Sequence, residues 1–441
     1  MGYSGEINFD GLIGPTHNYA GLSQGNLASQ KHLNQTSNPQ AAALQGLDKM
    51  RIIMEQGIPQ GFFLPHERPN LITLRDLGFG GTDEEVIGRA AKQDPALLKN
   101  IYSASSMWAA NAATFSPSID SYDQTIHITP ANLNTMFHRS IEPEFTKMQL
   151  QLMFGSIAKI HDPVSNISGY GDEGAANHLR VSAQHLKPGF QIFVYGNSAF
   201  ESHQGVIARQ AQEISQAVAA QHQLDPDLTL FLKQNNLAIE SGSFHNDIVS
   251  LANEEVFIFH QEAFADRVEL ERVLHHLKEH VKGFHPIEIL SADISLDDLV
   301  SSYLLNSQLI TLENNQMMML LPEEVQNHSN CMRWLDEIKS SSPIKRIEFV
   351  DIRQSMMNGG GPACLRFKTV VNDEEFSQVN QKFLLNPKKL MDLRSLISKH
   401  YRDNLSPEDL MDIKLMEESY TFLDELTQLL DLGSIYHFQQ T

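Results

Sequence analysis

Cysteine is nearly missing from this chain: Cys331 and Cys364 are the only two in 441 residues. That excludes a disulfide framework and suits a reducing compartment. No apolar run approaches the roughly 18 residues a membrane-crossing helix needs. Met1–Phe9 has neither the basic stretch nor the apolar core of a secretion signal, so a cytoplasmic protein is expected. Basic residues are few, 33 Lys and Arg against 54 Asp and Glu, for a formal charge of −21. This balance argues against a nucleic-acid partner, which demands basic surface, but leaves room for a small anionic ligand held by a few local arginines.

Cofactor and metal signatures are missing as well. Gly78-Phe79-Gly80-Gly81 lacks the glycine spacing of a dinucleotide loop, and no phosphate loop ending in Gly-Lys-Ser/Thr exists. The Gly-x-Ser-x-Gly elbow of serine hydrolases is absent. His276 and His280 stand one helical turn apart beside an apolar stripe, with no Glu directly after His276. His328 and Cys331 have no second pair. No metal and no cofactor is expected.

What is present is a globular composition, 41% hydrophobic and 20% charged, alternating strand-like and helix-like runs. Ser37-Asn38-Pro39 predicts a helix start, with Leu44, Leu47, Met50 and Met54 at helical spacing until Gly57. Gln191–Tyr195 and Val256–His260 read as strands, Gly205–Ala220 and Asp266–Val281 as helices, and Ile239–Ser250 as mixed strand. Strands are predicted on both flanks of the late cysteine, in Ile344–Ser355 and Leu365–Val371, and two helices close the chain at about 388–400 and 407–430. No linker or charge block divides it, so residues 1–441 read as one large α/β unit, regular enough to hide diverged repeats.

Four stretches carry candidate chemistry. In Met356–Arg366, three glycines and Pro362 precede Cys364, an open backbone that suits a presented nucleophile; a buried small hydrophobe is the competing reading. In Glu240–Val249, His245 and Asp247 are two apart and would share one face of a strand. Histidine can both protonate a leaving amine and activate water. In Gly169–His178, Asp172 and Glu173 are bracketed by glycines, and carboxylates are natural partners of a planar guanidinium; a helix start at Gly174 is the plainer explanation. Gly11–Ser29 has little to pack and suits a loop whose amides line a site.

With Glu6–Leu12, Tyr19–Ser23, Gly169–Asn177, Phe244–Asp247 and Asn358–Cys364 in view, the whole chain resembles the N-succinylarginine dihydrolases, which are guanidino-group modifying enzymes. The resemblance implies the pentein fold, an α/β propeller of pseudo-fivefold ββαβ repeats around a central channel. It also implies hydrolysis of N2-succinyl-L-arginine in arginine catabolism and a homodimer. By the same resemblance Cys364 is the nucleophile, His245 the general acid/base and Glu173 the third catalytic residue. Substrate contacts fall on Ala20, Gly21, Leu22, Ser23, Gln24, Gly25, Asn26, Leu27, Ala28, Ser29, Asn111, His138, Arg139, Arg209, Asp247 and Asn358. An arginine deiminase-like or amidinotransferase activity of the same superfamily is the alternative.

Overall fold

The computed structural model describes residues 3–23, 25–200 and 208–440. Its strands fall into five three-stranded sheets. Numbered along the chain they are β1 (Gly5–Gly11), β2 (Gln60–Phe63), β3 (Ala113–Ser116), β4 (Ile126–Pro130), β5 (Ala158–Ile160), β6 (His178–Ser182), β7 (Gly189–Tyr195) and β8 (Thr229–Lys233). There follow β9 (Ser250–Asn253), β10 (Val256–His260), β11 (His285–Ile289), β12 (Gln308–Thr311), β13 (Met317–Pro322), β14 (Ile344–Val350) and β15 (Arg366–Val371).

Each sheet repeats one plan. An antiparallel pair is followed by a helix and then by a third strand parallel to the middle one, as in β3–β4 followed by β5. Parallel neighbours need such a crossover, and the helices Pro143–Phe154, Gln212–Gln221, Arg267–His280 and Ser329–Ser341 supply it. The first sheet is completed by the last strand: β15 pairs antiparallel with β1, Gly5 opposite Val371, which closes the ring of modules. Its crossover is the helix Pro39–Glu55. The middle strands β1, β10 and β13 are buried throughout their length, which is why Met317–Leu321 is an unbroken apolar run rather than an alternating one. The first strands of neighbouring modules face one another, β15 toward β3, β6 toward β9 and β9 toward β12. The pseudo-fivefold α/β repeat expected from the resemblance is the architecture the chain adopts.

Local chemistry explains where the elements begin and end. Asn38 accepts the Ala41 N–H with Pro39 at the first helical position, and Gly57 leaves the helix at φ 82°. Asp266 caps the helix Arg267–His280, whose Leu270, Val273 and Leu277 are buried.

Four expectations change. The strand expected over Ile344–Ser355 stops at Val350, and Arg353–Asn358 is a helix ended by Gly359 at φ 107°. Ile239–Ser250 is no strand: Asn235 caps a short helix, Asn236–Glu240, and a 3₁₀ turn spans Asn246–Ile248. The helix expected from Gly205 starts at Gln212, residues 201–207 lying outside the described part. The last helix is Ile413–Leu430, because Asp412 turns its carboxylate onto the Lys414 N–H and separates it from the turn Pro407–Met411.

Candidate active site

Cys364 sits two residues before β15, in a turn that tolerates no side chain at two points. A Cβ on Gly360 would stand 2.2 Å from the Trp108 ring, and one on Gly361 2.6 Å from Asn306 Oδ1. The turn is pinned on both sides. The Ala363 N–H donates to the Asn306 carbonyl at 3.2 Å, the Ala110 N–H to the Cys364 carbonyl at 3.0 Å, and Gln308 to Pro362 at 3.1 Å. Cys364 is buried, 7% exposed. Asn306 Nδ2 donates to Sγ at 3.2 Å, and Asp247 Oδ2 lies 3.6 Å away, within reach of the S–H proton.

This environment keeps the resting thiol protonated. Burial, then the charge of Asp247, push the Cys364 pKa well up, while the donors on Asn306 and Gly361 pull the other way. Burial likewise pushes Asp247 up to about 7 against the hydrogen bonds from Cys364 and Asn306. A cation placed between the two would favour both anionic forms.

The second half of the site is built on Glu173. Its Oε2 receives His245 Nε2 at 2.9 Å and Arg139 Nη1 at 3.2 Å, and its Oε1 receives the Thr135 hydroxyl at 2.9 Å. Burial opposes its charge, but His245, Arg139 and Arg209 outweigh burial and hold the carboxyl below the usual range. Burial brings His245 down to about 4, so the resting imidazole is neutral and able to accept a proton beside a permanent carboxylate. The adjacent Asp172 braces the loop instead. It accepts the Gly174 N–H at 3.1 Å and Gln210 Nε2 at 3.2 Å, and so shapes the loop that aims Glu173.

His245 and Asp247 do not share a strand face as expected. The extended His245 precedes the 3₁₀ turn, and the two side chains part, one to Glu173 and the other to Cys364.

Of the remaining expected contacts, Ala20, Gly21, Leu22, Ser23 and Ser29 line a small cavity of about 20 Å³ together with His138 and Asn358. Asn26 ties this loop to the Cys364 turn, its Nδ2 donating to the Gly359 carbonyl at 2.6 Å while its Oδ1 caps the helix Leu27–Lys31. Asn26, Leu27 and Ala28 line a larger cavity on the outer side, about 620 Å³, and Leu27 is 58% exposed. Gly25 lies against Phe244, and Gln24 is outside the described residues. Asn111 Nδ2 donates to the Glu173 carbonyl at 2.7 Å. Buried Arg209 stacks over the Phe244 ring at 4.0 Å, where desolvation brings its pKa down to about 10. His138 is lowered to about 3 by burial and by Arg139, Arg209 and Arg68. Asn306, Thr135 and Trp108 were not anticipated. For Asn306 the signal was there, an Asn-Ser pair interrupting the apolar run Tyr303–Leu305 ahead of β12. Among the described residues the one cluster able to ligate a metal, His276, Glu279 and His280, is on the surface helix and away from this site.

The profile of the succinylarginine dihydrolase family matches residues 3–439. The chain belongs to the succinylarginine dihydrolase family. The N-succinylarginine dihydrolases of Idiomarina loihiensis and Erwinia tasmaniensis are both 46% identical to it, over 99% of each chain. Among solved structures, the N-terminal domain of ArgZ, an arginine dihydrolase from the ornithine–ammonia cycle in cyanobacteria, superposes with a TM-score of 0.52. It is 12% identical, with 83% of this chain and 98% of that one covered. Unliganded AgrE gives a TM-score of 0.51 at 14% identity, covering 83% of this chain and 40% of its own. At such identity the structures speak to the fold, which this member of the family shares with the pentein enzymes.

Proposed function

We propose that residues 1–441 act as one catalytic unit that converts N2-succinyl-L-arginine and two waters to N2-succinyl-L-ornithine, two ammonia and CO2. The observation that carries this reading is the family match across residues 3–439. The convergence of Cys364 with Asp247, and of His245 with Glu173, supports the assignment of roles.

A guanidinium carbon is deactivated by resonance, so it needs a strong nucleophile and fixed N–H groups. On binding, the substrate's cation lowers the thiol pKa, and the proton passes to neutral His245, whose cationic form Glu173 stabilises. Sulfur attacks the carbon to give a tetrahedral adduct. His245-H⁺ protonates the departing ammonia, leaving a thiouronium on Cys364. Water gives a proton to His245, adds to the carbon and expels the thiolate. The urea so formed passes through a second round, which releases the second ammonia and, after hydrolysis, a carbamate that loses CO2. The sum balances: RNH–C(NH2)2⁺ + 2 H2O gives RNH3⁺ + CO2 + 2 NH3.

His138, Arg139 and Arg209 form the anion-binding end. All three are buried, and Arg139 Nε has no hydrogen-bond partner in the protein, which suits it to a succinyl carboxylate. The same reading includes a cytoplasmic homodimer; among the described residues no helix is long and apolar enough to cross a membrane. The deciding experiment is mass analysis of products from succinylarginine with ammonia counted per turnover. Two ammonia and succinylornithine are expected. Succinylcitrulline as the final product, or preference for free arginine, would shift the reading to a deiminase.

A further inference from the structure

Beside the Cys364 turn lies a further cavity of about 110 Å³, which shares no lining residue with the one at Ala20–Ser23. Its upper end is formed by Asp247, Ala363 and Ala175, its lower part by residues of β6, β9 and β15. It therefore occupies the middle of the ring of modules, directly under the nucleophile turn. Along its β15 wall the Arg366 side chain is 9% exposed and the Lys368 side chain 23%, while Val370 is buried at 4%. The cavity runs from Asp247 and Ala363, beside Cys364, to the partly exposed Lys368.

Its chemistry suits water. Glu6 is buried beside it and ion-paired with Lys368 Nζ at 3.3 Å, His185 Nε2 at 3.5 Å and Arg366 Nη1 at 3.6 Å, so charged groups stand along its wall. At the upper end the buried Asp247 Oδ1 has no hydrogen-bond partner in the protein. A buried polar oxygen left so is costly unless water completes it, and the volume holds several molecules.

We propose that this channel is the solvent path of the reaction, bringing each hydrolytic water to the Cys364 adduct and carrying ammonia away. The inference rests on the covalent reading above. While the adduct exists the succinyl chain stays attached to the carbon and fills the front of the site. Each round still needs one water to add to that carbon and one ammonia to leave. The cavity on the Asp247 side offers both a place that the succinyl chain does not need.

Ala252 of β9 lines the channel and belongs to no catalytic contact, so Ala252→Leu and Ala252→Phe narrow it in steps. Wild-type and variant proteins are compared with succinylarginine by rapid-quench ammonia release, steady-state kinetics and intact-protein mass. The expected result is an unchanged KM and first-ammonia burst, with kcat falling stepwise to about tenfold below wild type in Ala252→Phe as the Cys364 adduct accumulates. An unchanged kcat in either folded variant overturns the proposal. So does a slowed burst with raised KM, which would mean a general disturbance of the site. If the Phe variant does not fold, the Leu variant decides. A high-resolution crystal structure of the wild type adds an independent check: a file of ordered waters from Asp247 to Lys368 is expected, and a dry channel refutes the path. Wild-type product stoichiometry in the same assay reports separately on the proposed activity.

Discussion

Asn306→Ala isolates the only side-chain N–H that reaches the Cys364 sulfur among the described residues. Its Nδ2 is 3.2 Å from Cys364 Sγ in a buried setting, while the backbone carbonyl that fastens Ala363 survives the substitution. A hydrogen bond to a charged group contributes about 1.5–3 kcal/mol. At ~1.4 kcal/mol per decade, its loss predicts a fall of about 10- to 150-fold in kcat/KM. The sign on pH follows from which form the bond favours. Asn306 donates, so it stabilises thiolate over thiol, and without it the already raised Cys364 pKa rises further. The limb of kcat/KM that reports thiol ionisation, and the pH profile of iodoacetamide alkylation, should both move about one to two units to higher pH. Asn306→Asp keeps the shape but sets a carboxylate against Sγ and Asp247, and should lose more than alanine does. A kcat/KM within about threefold of wild type, with an unmoved alkylation profile and normal thermal unfolding, would refute the reasoning.

Cys364→Ser should abolish turnover with the fold intact, since a hydroxyl is far less ionised; residual activity above about one per cent would count against covalent catalysis. Cys331→Ser, buried beside Ser302 and remote from the site, should leave kcat/KM unchanged. His245→Ala should form some adduct and then stall, so intact-protein mass should show a persistent species on Cys364; neither adduct nor activity would leave the hydrolytic role unsupported. Arg209→Ala should lose about 2–4 kcal/mol in transition-state binding of succinylarginine and little with free arginine. Arg139→Ala should depress both substrates, because its guanidinium also holds Glu173; equal losses for Arg209→Ala would move succinyl binding elsewhere. Lys49→Met strands the buried Asp10 carboxylate and should cost about 3–5 kcal/mol by chemical denaturation, most of it regained on adding Asp10→Asn.

Much of this protein is written locally. The cap at Asn38-Pro39, the helix ending at Gly57, the apolar stripe of Arg267–His280 and the short strand Val256–His260 need only near neighbours to form, and the sequence alone places them. The glycine run ahead of Cys364 is likewise legible as a turn, because residues without a Cβ permit the close approach of Trp108 and Asn306. Long resemblance to a family named the remaining candidates without giving them positions.

Tertiary structure decided what depends on distant partners. Nothing near residue 360 announces that Trp108 and Asn306 crowd its turn, since those contacts bridge some 250 and 55 positions of chain. Asp247 faces the thiol, and Glu173 holds His245 and Arg139 together, because strands from different modules meet at the centre of the ring. The same closure, β15 pairing with β1, places Glu6, Arg366 and Lys368 around a channel under the nucleophile. Sequence periodicity records which face of a strand is buried; which other strand that face meets is set by loop closure and packing over the whole chain.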